Sequence, residues 1–266
     1  MTMETTPGPR RFLLLLVCGI LVASMSRTTR AADFSYDDWN AVLERFVDDK
    51  GMVDYAGLAE DRETLERFIE AIETTGPRTQ PEMFPTREDQ LAYYINAYNA
   101  HVFAGVLELG PRADTVWGFT GTGLGFFVNM KVVVDGEKMS LKALEDDIIR
   151  EGFKDPRIHA ALNCASVGCP ELPRQAFAPA TLDEQLDAEM RKFIGEARNC
   201  TIDRESATVT LSKIFDWFRS DFEEYEASHG GGGLIDYVNR YLPPDEQIPA
   251  DYRVEFFKYD KALNRQ

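Results

Sequence analysis

The sequence predicts an α+β fold: a single domain with N-terminal helices, a long central helix and a small mixed or antiparallel sheet built from hairpins. Three observations carry this expectation. Apolar residues recur at helical spacing through the early part of the chain. The longest such run, QLAYYINAYNAHVFAGVLELG, follows Thr86 with Asp89 three residues on, a helix-start signal. Two later stretches, MKVVVDGEKMSL and CTIDRESATVTLS, read as hairpins, the first turning on Asp135-Gly136. No internal repeat, long low-complexity tract or strong second domain boundary interrupts the chain.

Taken in order, FSYDDWNAVLERFVDDKG places Trp39, Val42, Leu43, Phe46 and Val47 on one helical face and stops at Gly51. LAEDRETLERFIEAIETTG predicts a second helix, with Leu65, Phe68, Ile69 and Ile72 inward and Gly76 as its stop. A proline-containing connection, GPRTQPEMFP, leads to the long helix. Residues 111–129 read as irregular, and TGTGLG there is a loop, since it lacks the Walker lysine and a clear strand-to-helix context. Ser140 is the expected cap of LKALEDDIIREG. RIHAALNC reads as a buried strand. TLDEQLDAEMRKFIGEA predicts a helix with a capping box from Thr181 to Glu184. Ser212 is the expected cap of KIFDWFRSDFEEY, HGGGG is a surface loop, and LIDYVNRYL and RVEFFKYD supply a last helix and a last strand.

The first 31 residues are expected to lie outside the fold. Arg10 and Arg11 precede the apolar run FLLLLVCGILVASM, and Ala31-Ala32 offers small residues for cleavage, the pattern of a secretory signal peptide. The run is short for a membrane span, which needs about 20 residues. The alternatives are an uncleaved anchor and lipidation at Cys18, which the bulky Val17 before it disfavours. The expected mature domain is 33–266, with no transmembrane span and a periplasmic or extracellular location. Residues 1–31 hold four of the 29 basic residues and one of the 45 acidic ones, so the remainder carries a net charge near −19. Such a surface repels phosphate backbones and anionic lipid, which argues against nucleic-acid binding. Trp117, Phe119, Phe126, Phe127, Trp217 and Phe218 are assigned to the core.

HAALNCASVGCPELP is the stretch that carries chemistry. It sets His159, Cys164 and Cys169 within eleven positions. Three readings stay open: a Cys164–Cys169 disulfide staple, a thiol nucleophile with His159 as base, and a metal site. The spacing is not that of a zinc finger or ribbon, so no metal ligand set is assigned. If PELPRQAF opens with a helical turn, Cys169 sits at its N-cap, where backbone N–H groups favour thiolate. Of the other histidines, His101 lies on the long helix and His229 beside the glycine loop. With Cys200, three cysteines follow the leader, an odd number that leaves one thiol over. On the long helix Asn96 and Asn99 share a face in an apolar setting. Each is a candidate to fasten a loop or to orient His159. Glu145 is a further candidate base or orienting group.

The motifs GMVDYAGL, LAYYINAYNA, MSLKALEDDIIR, DPRIHAALNCASVGCPELP, LDEQLDAEMRKFI, LSKIFDWFRSDF and FKYDKALN resemble the domain of unknown function 547 family, from about Trp39 to Asn264. The resemblance implies a histidine, two cysteines and paired asparagines at His159, Cys164, Cys169, Asn96 and Asn99. It implies no established activity, and the residues themselves call for no cofactor. One departure is that the family usually reads Glu-His where this chain has Glu145-Asp146, which leaves His159 as the base. The expected function is a thiol-dependent hydrolase or acyl transferase using Cys169 or Cys164 with His159. The alternative is a non-catalytic cell-envelope domain that binds a small molecule or peptide and is stapled by the disulfide.

Overall fold

A computed structural model describes residues 1–2, 33–110, 113–118 and 124–266. The expected leader with Cys18, Phe119 and most of TGTGLG lie outside the described residues. Residues 32–266 form one unit. Among the described residues it is an α+β fold with a two-stranded and a three-stranded sheet.

The N-terminal layer is helical. Helix α1, Asp37–Phe46, buries Trp39, Val42, Leu43 and Phe46. The chain then turns at Gly51, φ +68°, rather than continuing helically to it, and Val47 bridges to Val53. The expected second helix is two, α2 (Tyr55–Glu60) and α3 (Glu63–Thr74). Asp54 caps α2 by accepting the Gly57 N–H, which starts that helix earlier than the apolar periodicity indicates.

Helix α4, Arg87–Leu109, is the pillar of the molecule. Thr86 accepts the Asp89 N–H while Asp89 accepts the Thr86 N–H, so the expected cap closes as a reciprocal box. From Leu91 to Phe103 every residue is buried, the mark of an interior helix rather than an amphipathic one. Around it gathers the larger of two apolar clusters, with α1, α3 and the short α5 (Gly125–Asn129).

The hairpin β1 (Lys131–Val134) and β2 (Glu137–Ser140) pairs antiparallel, Val134 opposite Glu137. Asp135 and Gly136 take φ +54° and +74°, as a tight primed turn requires. Ser140 caps α6 (Leu141–Ala143) through the Ala143 N–H. That turn runs into a π-helix, Leu144–Arg150, and then α7 (Glu151–Phe153).

RIHAALNC is not a strand. Pro156–Ala160 is a 3-10 helix whose cap, Asp155, accepts the Arg157 N–H. A short buried apolar run does not distinguish strand from helix, and the Asp-Pro start decided it. The turn expected after Cys169 does not form either. Residues 170–173 are irregular, because Pro173 biases Leu172 away from helical backbone. Helix α8, Leu182–Gly195, lacks the expected capping box: a 3-10 turn, Pro179–Thr181, leads into it, and the Thr181 hydroxyl goes to Gln185 instead.

The second apolar cluster is built on β3 (Cys200–Asp203), β4 (Thr208–Leu211) and β5 (Arg253–Phe256). β3 pairs antiparallel with β4, and β5 joins β4 in parallel, Val209 opposite Val254. The helices α9 (Lys213–Trp217), α10 (Arg219–Ser228) and α11 (Leu234–Asn239) complete it. Ser212 caps α9 as expected, but Phe218 divides the single predicted helix in two. No helix among the described residues is long and apolar enough to cross a membrane.

Candidate functional site

The two clusters meet at a cavity of about 470 Å³. Its wall takes Tyr98 from α4, Glu145 and Arg150 from the π-helix, His159, Cys164 and Cys169 from the central loop, Trp217 and Phe218 from the α9–α10 corner, and Tyr259 from the tail. The wide turns of a π-helix are enriched at functional sites. Here they bring Glu145 and Arg150, five residues apart, to one wall.

Cys164 and Cys169 are joined in a disulfide. The loop between them is held from three directions. Asn99 accepts the Asn163 N–H at 2.9 Å and donates to the Ala161 carbonyl at 2.9 Å. Asn163 donates to the Pro170 carbonyl at 2.7 Å and accepts the Ala165 N–H. The tail contributes backbone bonds from Val167 to Ala262 and from Gly168 to Asp260. Asn96 does the same for another loop, bonding both the N–H and the carbonyl of Phe177. Both asparagine amides are thus spent on backbone, and neither is directed at His159.

The partner of His159 is Asp221, at 2.8 Å from Nε2. The ring stacks on Phe218 at 4.0 Å. Arg150 grips the same carboxylate with two nitrogens at 2.8 Å and also bonds Asp146. Burial opposes charge on Asp221, but the bonds from His159 and Arg150 outweigh it and hold the carboxyl below its usual range. Burial lowers the His159 pKa against the pull of Asp221. A carboxylate only accepts, so Nε2 carries the proton of the neutral ring and Nδ1 keeps its lone pair.

Glu145 accepts the Tyr98 hydroxyl at 3.0 Å. Burial pushes its carboxyl up to about 7, with Asp146 adding and Tyr98, Lys142 and Arg150 opposing. Lys142 pairs with Asp146. The Tyr259 hydroxyl lies 3.0 Å from Cys164 Sγ and 3.1 Å from Cys169 Sγ. Burial raises its pKa well above the usual phenol value, so it stays a donor. Trp117, Trp217 and Tyr259 form one ring cluster at 4.7 to 5.6 Å. Lys261 Nζ sits 4.9 Å from the Trp117 ring.

The cavity thus gathers His159, both cysteines and Glu145 at its wall, while Asn96 and Asn99 serve the frame. His101 is elsewhere, bonded to the Val133 carbonyl and lowered to about 4 by burial. His229 stacks on Tyr225. Among the described residues Cys200, on β3, is the free cysteine, its thiol pushed up to about 11 by burial. Among the described residues no three His, Cys, Asp or Glu side chains gather to hold a metal. Sequence reasoning missed Asp221, Arg150, Tyr98 and Tyr259. All four stand inside quoted motifs, LSKIFDWFRSDF, MSLKALEDDIIR, LAYYINAYNA and FKYDKALN, but nothing in those motifs marks their contacts. Trp217, expected in the core, is 42% exposed.

No curated protein and no solved structure was found to match the chain. A family model does match, over a narrower span than the motif resemblance from Trp39 to Asn264. It takes in α4, Glu145, His159 and the disulfide, and stops short of Asp221 and Tyr259. Residues 82–194 match the model of the family described as "Protein of unknown function, DUF547".

Proposed function

We propose that this is an exported domain that binds a small organic molecule in the cavity between its two apolar clusters. The observation that carries the reading is the convergence of aromatic rings and a few polar groups on one cavity of about 470 Å³. Ligand sites are mostly apolar clefts of roughly 300–1,000 Å³ with a small number of placed polar groups. In this reading the Cys164–Cys169 bond staples the wall. Export is supported by the leader-like pattern of residues 1–31 and by the disulfide, which suits an oxidising compartment. The test is a thermal-shift screen of the full chain against small organic acids, sugars and aromatic compounds, with hits remeasured by calorimetry. A genuine ligand loses affinity at least tenfold in Trp217→Ala. A blank screen, or hits indifferent to Trp217→Ala and Glu145→Gln, sinks the reading.

A second reading rests on the His159–Asp221 pair. A histidine held by a carboxylate, lining the same cavity as two sulfurs, supplies the residue types that a thiol hydrolase or acyl transferase uses. Neither sulfur is a nucleophile while the two are bonded, so this activity belongs to the reduced protein. It predicts that p-nitrophenyl acetate is hydrolysed after reduction only, with loss of the activity in His159→Gln. Equal turnover by oxidised and reduced protein counts against it.

A further inference from the structure

We infer that the Cys164–Cys169 disulfide undergoes thiol–disulfide exchange with a low-molecular-weight thiol entering the cavity, with Cys164 the sulfur attacked and Cys169 the leaving group. This goes beyond ligand binding and does not depend on it.

Both cysteines line the cavity, but they are not equivalent. Cys169 is 2% exposed, while Cys164 is half-buried. An incoming thiolate therefore meets Cys164 first. The donors are placed for the other half of the reaction. The backbone N–H of Cys164 donates to Cys169 Sγ at 3.0 Å. The Tyr259 hydroxyl, kept protonated, lies between the two sulfurs, 3.0 Å from Cys164 Sγ and 3.1 Å from Cys169 Sγ, and turns its proton to whichever becomes the anion. Charge-assisted hydrogen bonds are the stronger ones. Both bonds therefore strengthen as negative charge grows on Cys169, and exchange is faster when the leaving thiol is the better stabilised anion.

The balance is simple. A thiolate, RS⁻, forms an S–S bond to Cys164 Sγ as the Cys164–Cys169 bond breaks, and the electron pair leaves on Cys169 Sγ. A second thiolate attacks the sulfur of the R group, releasing RSSR and Cys164 as thiolate. Two thiols are oxidised and one protein disulfide is reduced. Lys261 on the same wall places positive charge where an anionic thiolate arrives.

Position explains the tyrosine. The tail is laid along the disulfide loop by the Val167 and Gly168 backbone bonds, and Tyr259 lies at its start. Gly168 makes room for it. A Cβ at 168 would lie 2.8 Å from Tyr259 Cε2 and 2.9 Å from the Asp260 carbonyl.

The test uses the folded, oxidised full chain with glutathione at pH 8, acid quench, alkylation and peptide mapping, alongside circular dichroism. Expected are opening at a rate proportional to glutathione concentration and a mixed disulfide on Cys164. Tyr259→Phe keeps the ring and is expected to slow opening about tenfold, the effect of one hydrogen bond to a developing anion. Opening that saturates at the rate of global unfolding, an adduct on Cys169, or an unchanged rate in a folded Tyr259→Phe overturns the inference. Each readout is independent of whether the ligand screen finds a hit.

Discussion

Replacing Glu145 by glutamine is expected to stabilise the protein in mildly alkaline solution and to flatten its stability against pH. The carboxyl ordinarily titrates at 4.5 and stands at about 7 in the fold, chiefly because burial disfavours its charge. An acid raised in this way holds its proton longer in the folded chain than in the unfolded one. Its contribution is therefore full below pH 4.5 and is lost as pH rises to about 7. At about 1.36 kcal/mol per pKa unit, the whole window is worth about 3 kcal/mol. The side chain is only half-buried, so this is an upper figure. Glutamine keeps the shape and an acceptor for the Tyr98 hydroxyl but does not titrate. The assay is urea unfolding of both proteins from pH 5 to 8. Relative to wild type, the variant should gain about 2 kcal/mol across that range. The other titrating groups cancel in this difference. Asp221, held low, costs stability only in acid, and His159, lowered by burial, costs stability as pH falls through its usual range. Parallel profiles for the two proteins would refute the claim that burial controls Glu145.

Asn96→Ala and Asn99→Ala should each destabilise by about 2–4 kcal/mol, since each strands a buried N–H and a buried carbonyl. Chemical denaturation reads this, and a loss below about 1 kcal/mol would show that water takes over their bonds. Asp221→Asn should cost about 2–3 kcal/mol by loosening Arg150 and leaving His159 a neutral partner. If the pair is the machinery of the reduced enzyme, the same variant also lowers ester turnover, measured at a temperature where it remains folded.

Periodicity, caps and turn chemistry are local, and they were legible in the sequence. The α+β class, the Thr86–Asp89 box, the Asp135-Gly136 turn and the Ser140 and Ser212 caps each depend on residues a few positions apart. The breaks at Asp61 and Phe218, and the 3-10 turn at Pro156, were not legible. There, apolar spacing continues across a change of backbone that burial and proline impose. The Cys164–Cys169 pair, His159 and Glu145 stood out as candidate site residues by type and spacing. Their partners did not. Asp221 is 62 residues from His159, and Tyr259 is 95 from Cys164. One aspartate among many acidic residues carries no local mark of such a contact. The sequence therefore determined the fold class, most of the helices with their caps and turns, and which side chains stand out as candidates for chemistry. The tertiary structure alone decided that Asp221, not an asparagine, holds the histidine, that the two sulfurs are bonded, and that Tyr259 reaches both. Those outcomes depend on how the two apolar clusters close around one cavity, and that closure is a property of long-range packing.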